Sequence, residues 1–156
     1  MFNNCSNSNL KGNVGLGLCM SYFMKKGLIV CLPINDSQPY DIVFDDGSNL
    51  KKVQVKTTSQ KSGDYFKVKV ESCSHNYNKH FNPDECDYLF VLCEDSTMYL
   101  IPTEHIKVKT ILTLDHKFDK FIVDWQSGLL CRPAKSVRVT PPRVRIPHLL
   151  QKSPVH

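Results

Sequence analysis

Two segments of this sequence alternate strictly between apolar and polar residues. In LKKVQVKTT (50–58), Val53 and Val55 are separated by a single polar residue, and YFKVKVES (65–72) repeats the pattern. Successive side chains of a β-strand point to opposite faces of a sheet, so this period of two predicts strands with one face on an apolar core. A pair of strands is only marginally stable in water, so the rest of the chain must extend the sheet and cover it.

Other apolar segments predict what surrounds these strands. DYLFVLCED (87–95) is nearly continuous in apolar residues, as expected of a strand that is covered on both faces. Residues 10–26 predict a helix that ends at Gly27, and the three glycines inside this helix predict close packing of its backbone. Residues 73–85 are polar and predict a loop.

The last part of the domain predicts a second helix. Apolar side chains at i, i+3, i+4 and i+7 give it one apolar face, formed by Phe118, Phe121, Ile122 and Trp125. Further strands are predicted at 28–33, 40–45, 96–102 and 108–114. The expected fold is therefore of the α/β class, with a central mixed β-sheet flanked by helices.

The positive charge of the chain is concentrated at its C-terminal end. Residues 1–130 carry 14 basic and 15 acidic side chains, whereas residues 131–156 carry six basic and no acidic side chains, together with five prolines. Prolines at this density forbid a regular helix, so we expect a domain of residues 1–130 followed by a flexible basic tail. The tail is either solvated without specific use or binds DNA phosphates through Arg138, Arg143 and Arg145.

The sequence also bounds the class and the location of the protein. Its 41% hydrophobic and 22% charged residues are ordinary for a globular domain. No apolar run approaches the ~20 residues that cross a bilayer, and the first residues show no secretory pattern. The seven scattered cysteines are an odd number and indicate reduced thiols. We therefore expect a cytoplasmic protein that is not secreted and has no membrane partner.

Asp41, Gln54 and Lys56 are the residues best suited to carry chemistry. A hairpin would bring Asp41 to the same end of the sheet as Gln54 and Lys56, which share a face because they are two residues apart. The Asp41 carboxylate, the Gln54 side-chain oxygen and the Val55 carbonyl are ligands that Mg²⁺ accepts, and Lys56 can polarise a water or a phosphate. The set is sufficient for metal-assisted phosphodiester hydrolysis, although each member is also an ordinary residue of a solvated strand face.

The sequence around these residues resembles the PD-(D/E)XK nucleases. The resemblance covers roughly residues 10–125, and its most specific parts are PYD (39–41), VQVKTT (53–58) and the strand end YLIP (99–102). Within this family the chain looks most like the group I intron-encoded homing endonucleases, which are close to archaeal Holliday-junction resolvases.

The resemblance implies a fold, an activity and a set of site residues. The fold is a restriction-endonuclease-like core of α-β-β-β-α-β type. The activity is site-specific cleavage of double-stranded DNA with Mg²⁺ or Mn²⁺ by a nucleoid-associated homodimer or homotetramer. Asp41 matches the aspartate of the motif, Lys56 matches its lysine, and Gln54 stands where most members have an acid and the intron-encoded branch has glutamine.

One position departs from the family pattern. Leu16 stands where many members carry a glutamate on the first helix, so Asp41 is the only anion among the expected ligands. Fewer anionic ligands predict weaker Mg²⁺ binding, and we expect a DNA phosphate to help complete the metal site. Two alternatives stay open: a structure-specific nuclease like the junction resolvases, and a catalytically inactive relative that binds DNA.

Basic and hydroxyl side chains near the motif strands are the candidate DNA contacts of the domain. They are Lys51, Lys52, Thr57, Thr58, Lys61, Lys67 and Lys69. Lysines here either seat the phosphate backbone or protect an ordinary sheet edge from aggregation. The threonines either bind phosphates or are simply good strand residues.

Other kinds of site find little support in the sequence. Cys73, His75, His80 and Cys86 have a spacing that matches no common zinc knuckle, so zinc is not the expected metal. The sequence lacks the glycine-rich patterns that bind ATP or dinucleotides, which leaves those ligand classes without support.

Overall fold

The computed structural model describes residues 2, 7–35, 37–74 and 77–123. Its first element, helix α1, spans Ser8–Lys25, and the side chain of Asn7 caps its start by accepting the Leu10 N–H at 2.8 Å. The chain leaves the helix at Gly27, whose φ of 76° is a conformation that glycine adopts without steric cost. The helix predicted over 10–26 is confirmed and begins two residues earlier.

Eleven short strands follow α1 in the described residues. In chain order they are β1 (Ile29–Cys31), β2 (Ile42–Asp45), β3 (Leu50–Thr58), β4 (Lys61–Ser62), β5 (Tyr65–Lys69), β6 (Ser72–Ser74), β7 (Tyr77–Lys79), β8 (Tyr88–Cys93), β9 (Met98–Pro102), β10 (Ile111–Leu114) and β11 (Ile122–Val123). Single 3₁₀ turns lie at Pro83–Glu85 and Thr103–His105, and a longer 3₁₀ helix lies at His116–Phe121. All the predicted strands are present, and β3 has the predicted bounds because its alternation is strict.

Six of these strands form the central sheet, in the order β1-β2-β3-β8-β9-β11. β3 and β8 run parallel, with Val53 opposite Tyr88 and Thr58 opposite Cys93, whereas the other neighbours in this sheet are antiparallel. Five of the six residues of β8 are buried, as its continuous apolar sequence predicted. The expectation of a central mixed sheet is confirmed.

A different layer covers each face of the central sheet. On one face, Phe23 of α1 stacks on Phe44 of β2 with ring centroids 4.2 Å apart, in a cluster that includes Phe90 of β8. On the other face, a three-stranded sheet of order β10-β5-β4 contributes Val68 to a cluster that includes Val91 of β8. In the described residues, the second covering layer is therefore a sheet rather than a helix.

Three predictions about local structure are wrong. The amphipathic helix at 118–125 is a 3₁₀ helix, His116–Phe121, followed by β11, and Trp125 lies outside the described residues. The loop predicted at 73–85 contains the β6–β7 hairpin. The crossover between the parallel strands β3 and β8, where the family pattern implies a helix, contains β4 to β7 instead. The alternating sequence of β5 explains the last difference, since a period of two suits a strand and not a helix.

Two further expectations concern the ends of the domain and the membrane. The domain boundary at residue 130 and the basic tail of residues 131–156 both lie outside the described residues. No helix in the part of the chain that the structure describes is long and apolar enough to cross a bilayer.

Candidate active site

The β2–β3 hairpin holds Asp41 against the middle of β3. Ile42 lies opposite Val53 in this antiparallel pair, and the Asp41 N–H donates to the Val53 carbonyl at 2.9 Å. The Asp41 side chain then reaches along β3, where its Oδ2 accepts the Val55 N–H at 2.6 Å. These two hydrogen bonds fix both the backbone and the carboxylate of Asp41 on β3, as the predicted hairpin requires.

The two faces of β3 have different environments. Val53 and Val55 belong to the apolar cluster beneath α1, as the alternation predicted. Gln54 and Lys56 therefore lie on the opposite face. Gln54 is only 8% exposed, and its Oε1 is buried without a hydrogen-bond partner in the structure. This excludes an ordinary solvated position for Gln54.

The electrostatics of Asp41 connect it with Lys56. Burial of its carboxyl raises the pKa of Asp41 above the usual value of 3.8, although the residue as a whole keeps contact with solvent. The Val55 N–H and the Lys56 charge oppose this effect and lower the pKa. On the other side of the strand, burial and then the charge of Asp41 raise the pKa of the Cys19 thiol. The Lys56 charge therefore acts on Asp41, and Asp41 in turn acts on a thiol of the helix behind the strand.

Three residues of this hairpin carry oxygen atoms of the kinds that hard divalent cations bind. The Asp41 carboxylate, the Gln54 Oε1 and the Val55 carbonyl belong to adjacent positions of the hairpin, and magnesium binds oxygen ligands of these kinds. A buried amide oxygen without a partner costs about 1–3 kcal/mol, and a bound cation would remove that cost. No cluster of three or more His, Cys, Asp or Glu side chains suited to a metal occurs among the described residues. A metal at this site would therefore have Asp41 as its one anionic side-chain ligand.

Cys86 is a neighbour of this site, although the sequence analysis considered it only as a possible zinc ligand. Burial, followed by the charge of Asp87, raises the pKa of its thiol to about 11, and the Gln54 N–H lowers it. The charge of Asp41 also acts on this thiol. Cys86 precedes β8, and no local pattern signals its proximity, because the contact arises from the parallel pairing of β3 with β8.

Leu16, at the position where many family members carry a glutamate, is an apolar contact of α1. It packs against the same cluster as Val55 and supplies no charge to the site. Asp41 therefore remains the one acidic residue of the predicted ligand set.

The lysines predicted to bind DNA lie at both ends of β3 rather than in one patch. At the start of the strand, Lys51 Nζ lies 3.4 Å from an Asp87 carboxylate oxygen, and Lys52 Nζ lies 5.2 Å from the centre of the Tyr40 ring. Beyond its end, Lys61 Nζ lies 4.5 Å from the centre of the Phe66 ring. On β5, Lys67 is half-buried and Lys69 forms an ion pair of 3.0 Å with Glu71. Their binding to DNA stays a prediction.

Of the two threonines of β3, Thr58 is a poor DNA contact, which corrects the expectation for it, whereas DNA binding by Thr57 stays a prediction. Thr58 is buried, and its hydroxyl donates to the Lys67 carbonyl and accepts the Gln60 N–H. Thr57 is half-buried with its methyl group directed at Gly15 of α1. Both side chains serve internal packing, which β-branched strand residues commonly do.

Several residues considered for DNA or zinc binding lie partly or wholly outside the residues that the structure describes. Arg138, Arg143 and Arg145 belong to the undescribed tail. Of the residues considered for zinc, His75 and the side chain of Cys73 also lie outside the described residues.

The family model of the PD-(D/E)XK endonucleases matches residues 6–120 of this chain. This range includes α1, β2, β3 and the whole site around Asp41, Gln54 and Lys56. The chain therefore belongs to the PD-(D/E)XK endonuclease family, as its sequence motifs indicated.

The solved structure of a homing endonuclease has a similar fold. The bacterial homing endonuclease I-Ssp6803I is 22% identical and superposes with a TM-score of 0.62, over 79% of this chain and 88% of that chain. Hjc, a Holliday junction resolvase from the archaeal hyperthermophile Archaeoglobus fulgidus, is 10% identical with a TM-score of 0.49, over 75% of this chain and 93% of that chain. No curated protein sequence matches the chain.

Proposed function

We propose that this protein is an endonuclease that hydrolyses phosphodiester bonds of double-stranded DNA at specific sites, with Mg²⁺ or Mn²⁺ as cofactor. The observation that carries the proposal is the buried, unpartnered Gln54 Oε1 on the strand that binds the Asp41 carboxylate. Membership of an endonuclease family supports the reaction class. The likeness of the fold to a homing endonuclease motivates the specificity for particular sites.

Each residue of the site has a distinct role in this proposal. Asp41, Gln54 and the Val55 carbonyl hold the metal, which would polarise the scissile phosphate and lower the pKa of a bound water. The Val55 N–H keeps the Asp41 carboxylate in place. Lys56, whose charge already acts on Asp41, holds the attacking water or balances the charge that develops on the phosphate.

DNA binding requires surfaces beyond the three site residues. We assign non-specific phosphate contacts to Lys52, Lys61 and Lys67, and to the basic tail. Lys51 and Lys69 join them when DNA competes with Asp87 and Glu71, because partly exposed ion pairs are weak. A homodimer or homotetramer would present two such surfaces to two half-sites. A DNA substrate also motivates the expected cytoplasmic, nucleoid-associated location.

Cleavage assays on three substrates test the proposal. The purified protein is incubated with Mg²⁺, Mn²⁺ or a chelator and with supercoiled plasmid, a library of randomised duplexes or a synthetic four-way junction. Metal-dependent cutting that selects particular duplexes from the library supports the proposal. Cutting confined to the junction would identify a structure-specific nuclease instead, and binding without any cutting would identify an inactive relative.

A further inference from the structure

Gly15 brings α1 into close contact with β3. A methyl group on Gly15 would lie 2.5 Å from Thr57 Cγ2 and 3.3 Å from Val55 Cγ1. A methyl group on Gly12 or Gly17 would meet nothing within 4 Å. Carbon atoms pack at about 3.5–4.0 Å, so among these three glycines only Gly15 needs to lack a side chain for the helix to sit where it does.

The part of β3 that packs against Gly15 is also the part that carries the candidate active site. Val55 donates its N–H to Asp41 at 2.6 Å, and its neighbours Gln54 and Lys56 point to the face away from α1. Pairing with β2 and β8 fixes β3 within the plane of the sheet. β3 can therefore move mainly in the direction perpendicular to the sheet, and contact with α1 limits that movement.

We infer that Gly15 is a positioning residue for the active site and acts through the Val55 peptide. By allowing α1 to pack directly on Val55 and Thr57, Gly15 sets the position of the Val55 peptide along the direction perpendicular to the sheet. This position determines how the Val55 N–H meets the Asp41 carboxylate, because the Asp41 backbone is anchored two residues earlier on β3, where its N–H donates to the Val53 carbonyl at 2.9 Å. The inference concerning catalysis rests on the proposed function, whereas the geometric coupling does not.

Rotation of the Thr57 side chain is a costly way to avoid a methyl group at position 15. Threonine branches at Cβ and its χ1 is restricted, so turning Cγ2 away requires a change of rotamer in a packed strand. The Val55 methyl group, 3.3 Å away, limits a shift of the helix toward that side. A side chain at position 15 therefore moves either α1 or the strand backbone, and the hydrogen bond between Val55 and Asp41 reports that movement.

Alanine substitutions on α1 test the inference in the full-length chain. Gly15→Ala is compared with Gly12→Ala and Gly17→Ala, which add the same methyl group to the same helix without a contact. A double variant, Gly15→Ala with Thr57→Ser, deletes the methyl group that the new side chain would meet. The first readout, which does not require catalysis, is the amide proton shift of Val55 measured by nuclear magnetic resonance. The second readout is steady-state cleavage of DNA.

We expect Gly15→Ala to shift the Val55 amide resonance and to lower kcat by about 10- to 100-fold with a smaller change in KM. Thr57→Ser restores both readouts. Gly12→Ala and Gly17→Ala leave them unchanged and raise the melting temperature, because alanine favours a helix more than glycine does. If Gly15→Ala does not fold, recovery of the fold by Thr57→Ser supports the contact, and failure to recover overturns it.

The outcomes separate this inference from the proposed function. Unchanged resonance measurements in Gly15→Ala, or equal changes in the two control variants, overturn the inference. Altered resonances with an unchanged kcat in an active enzyme also overturn it, while the proposed function stands. If the wild-type protein cuts no DNA, the proposed function fails, and the resonance measurements alone decide whether Gly15 sets the contact between Asp41 and Val55.

Discussion

The Val55 N–H donates a 2.6 Å hydrogen bond to the carboxylate of Asp41, the one acidic side chain of the predicted ligand set. This bond lowers the pKa of Asp41, but burial of the carboxyl has the larger effect and raises the pKa above 3.8. Asp41 is therefore held in an environment that opposes its charge, as expected of a residue kept for its chemistry rather than for stability.

Asp41→Asn should stabilise the fold at neutral pH. A folded-state pKa above the unfolded value means that Asp41 contributes stability below about pH 3.8, and that this contribution is lost as the pH rises through the folded pKa. The variant removes the carboxylate charge and keeps an oxygen for the Val55 N–H. Its melting temperature should exceed that of the wild type near pH 7, with the difference shrinking toward pH 3.

Thermal melts across this pH range check the prediction. Asp64→Asn, at an exposed turn residue, is the matched control and should change stability little. A melting temperature near pH 7 that falls on Asp41→Asn would show that the carboxylate stabilises the fold.

Gln54→Met should also raise stability. Methionine has a similar shape and removes an amide oxygen that is buried without a partner, so we expect a gain of about 1 kcal/mol in the free energy of unfolding. Cleavage should be lost with the metal ligand. Chemical denaturation measures the gain, with the exposed Gln60→Met as control. If Gln54→Met lowers stability instead, the Gln54 amide already has hydrogen-bond partners in the folded protein and is not a vacant ligand.

The alternating and continuous apolar segments of this sequence predicted the central sheet because burial determines their pattern. β3 and β8 were correctly placed by their apolar patterns, although the polar face of β3 is also buried at Gln54 and Thr58. The prediction of a helix at 118–125 was wrong because aromatic residues three and four positions apart also suit a 3₁₀ helix that leads into a strand. Periodicity over so few residues does not distinguish the two.

The residues of the candidate site were predicted from spacing, but their environment was not. The sequence placed Asp41 near β3, whereas the burial of Gln54 depends on layers that come from distant parts of the chain. Gly15 was one of three glycines in a helix, and only the packed structure distinguishes it from Gly12 and Gly17. For the same reason the sequence did not show that Thr58, a candidate DNA contact, is covered by the second sheet.

Metal binding should depend on DNA. Asp41 is the one anion of the ligand set, and its environment disfavours the charged form, so Mg²⁺ should bind the free protein weakly. A DNA phosphate supplies the missing negative charge. Isothermal titration of Mg²⁺ into the Lys56→Met variant, with and without duplex DNA, measures the difference under conditions that limit cutting. Tight binding without DNA would contradict the prediction.

The basic tail should make DNA binding more sensitive to salt. Each phosphate contact adds about 0.9 to the slope of log K against log salt concentration. Replacing Arg138, Arg143 and Arg145 by alanine should therefore lower the slope by up to about 3 and weaken binding to all sequences alike. Fluorescence anisotropy at several salt concentrations measures the slope. An unchanged slope would show that these arginines of the tail do not contact DNA phosphates.

Cleavage of DNA by Lys56→Met tests the central claim, which is that Asp41, Gln54 and Lys56 form a nuclease site. With Mg²⁺ and a duplex that the wild type cuts, the variant should cut at least about 100-fold more slowly while its affinity for DNA changes little, because phosphate contacts elsewhere provide the affinity. Lys120→Met, at an exposed lysine outside the site, should cut at the wild-type rate. Wild-type cleavage by Lys56→Met would contradict the claim directly.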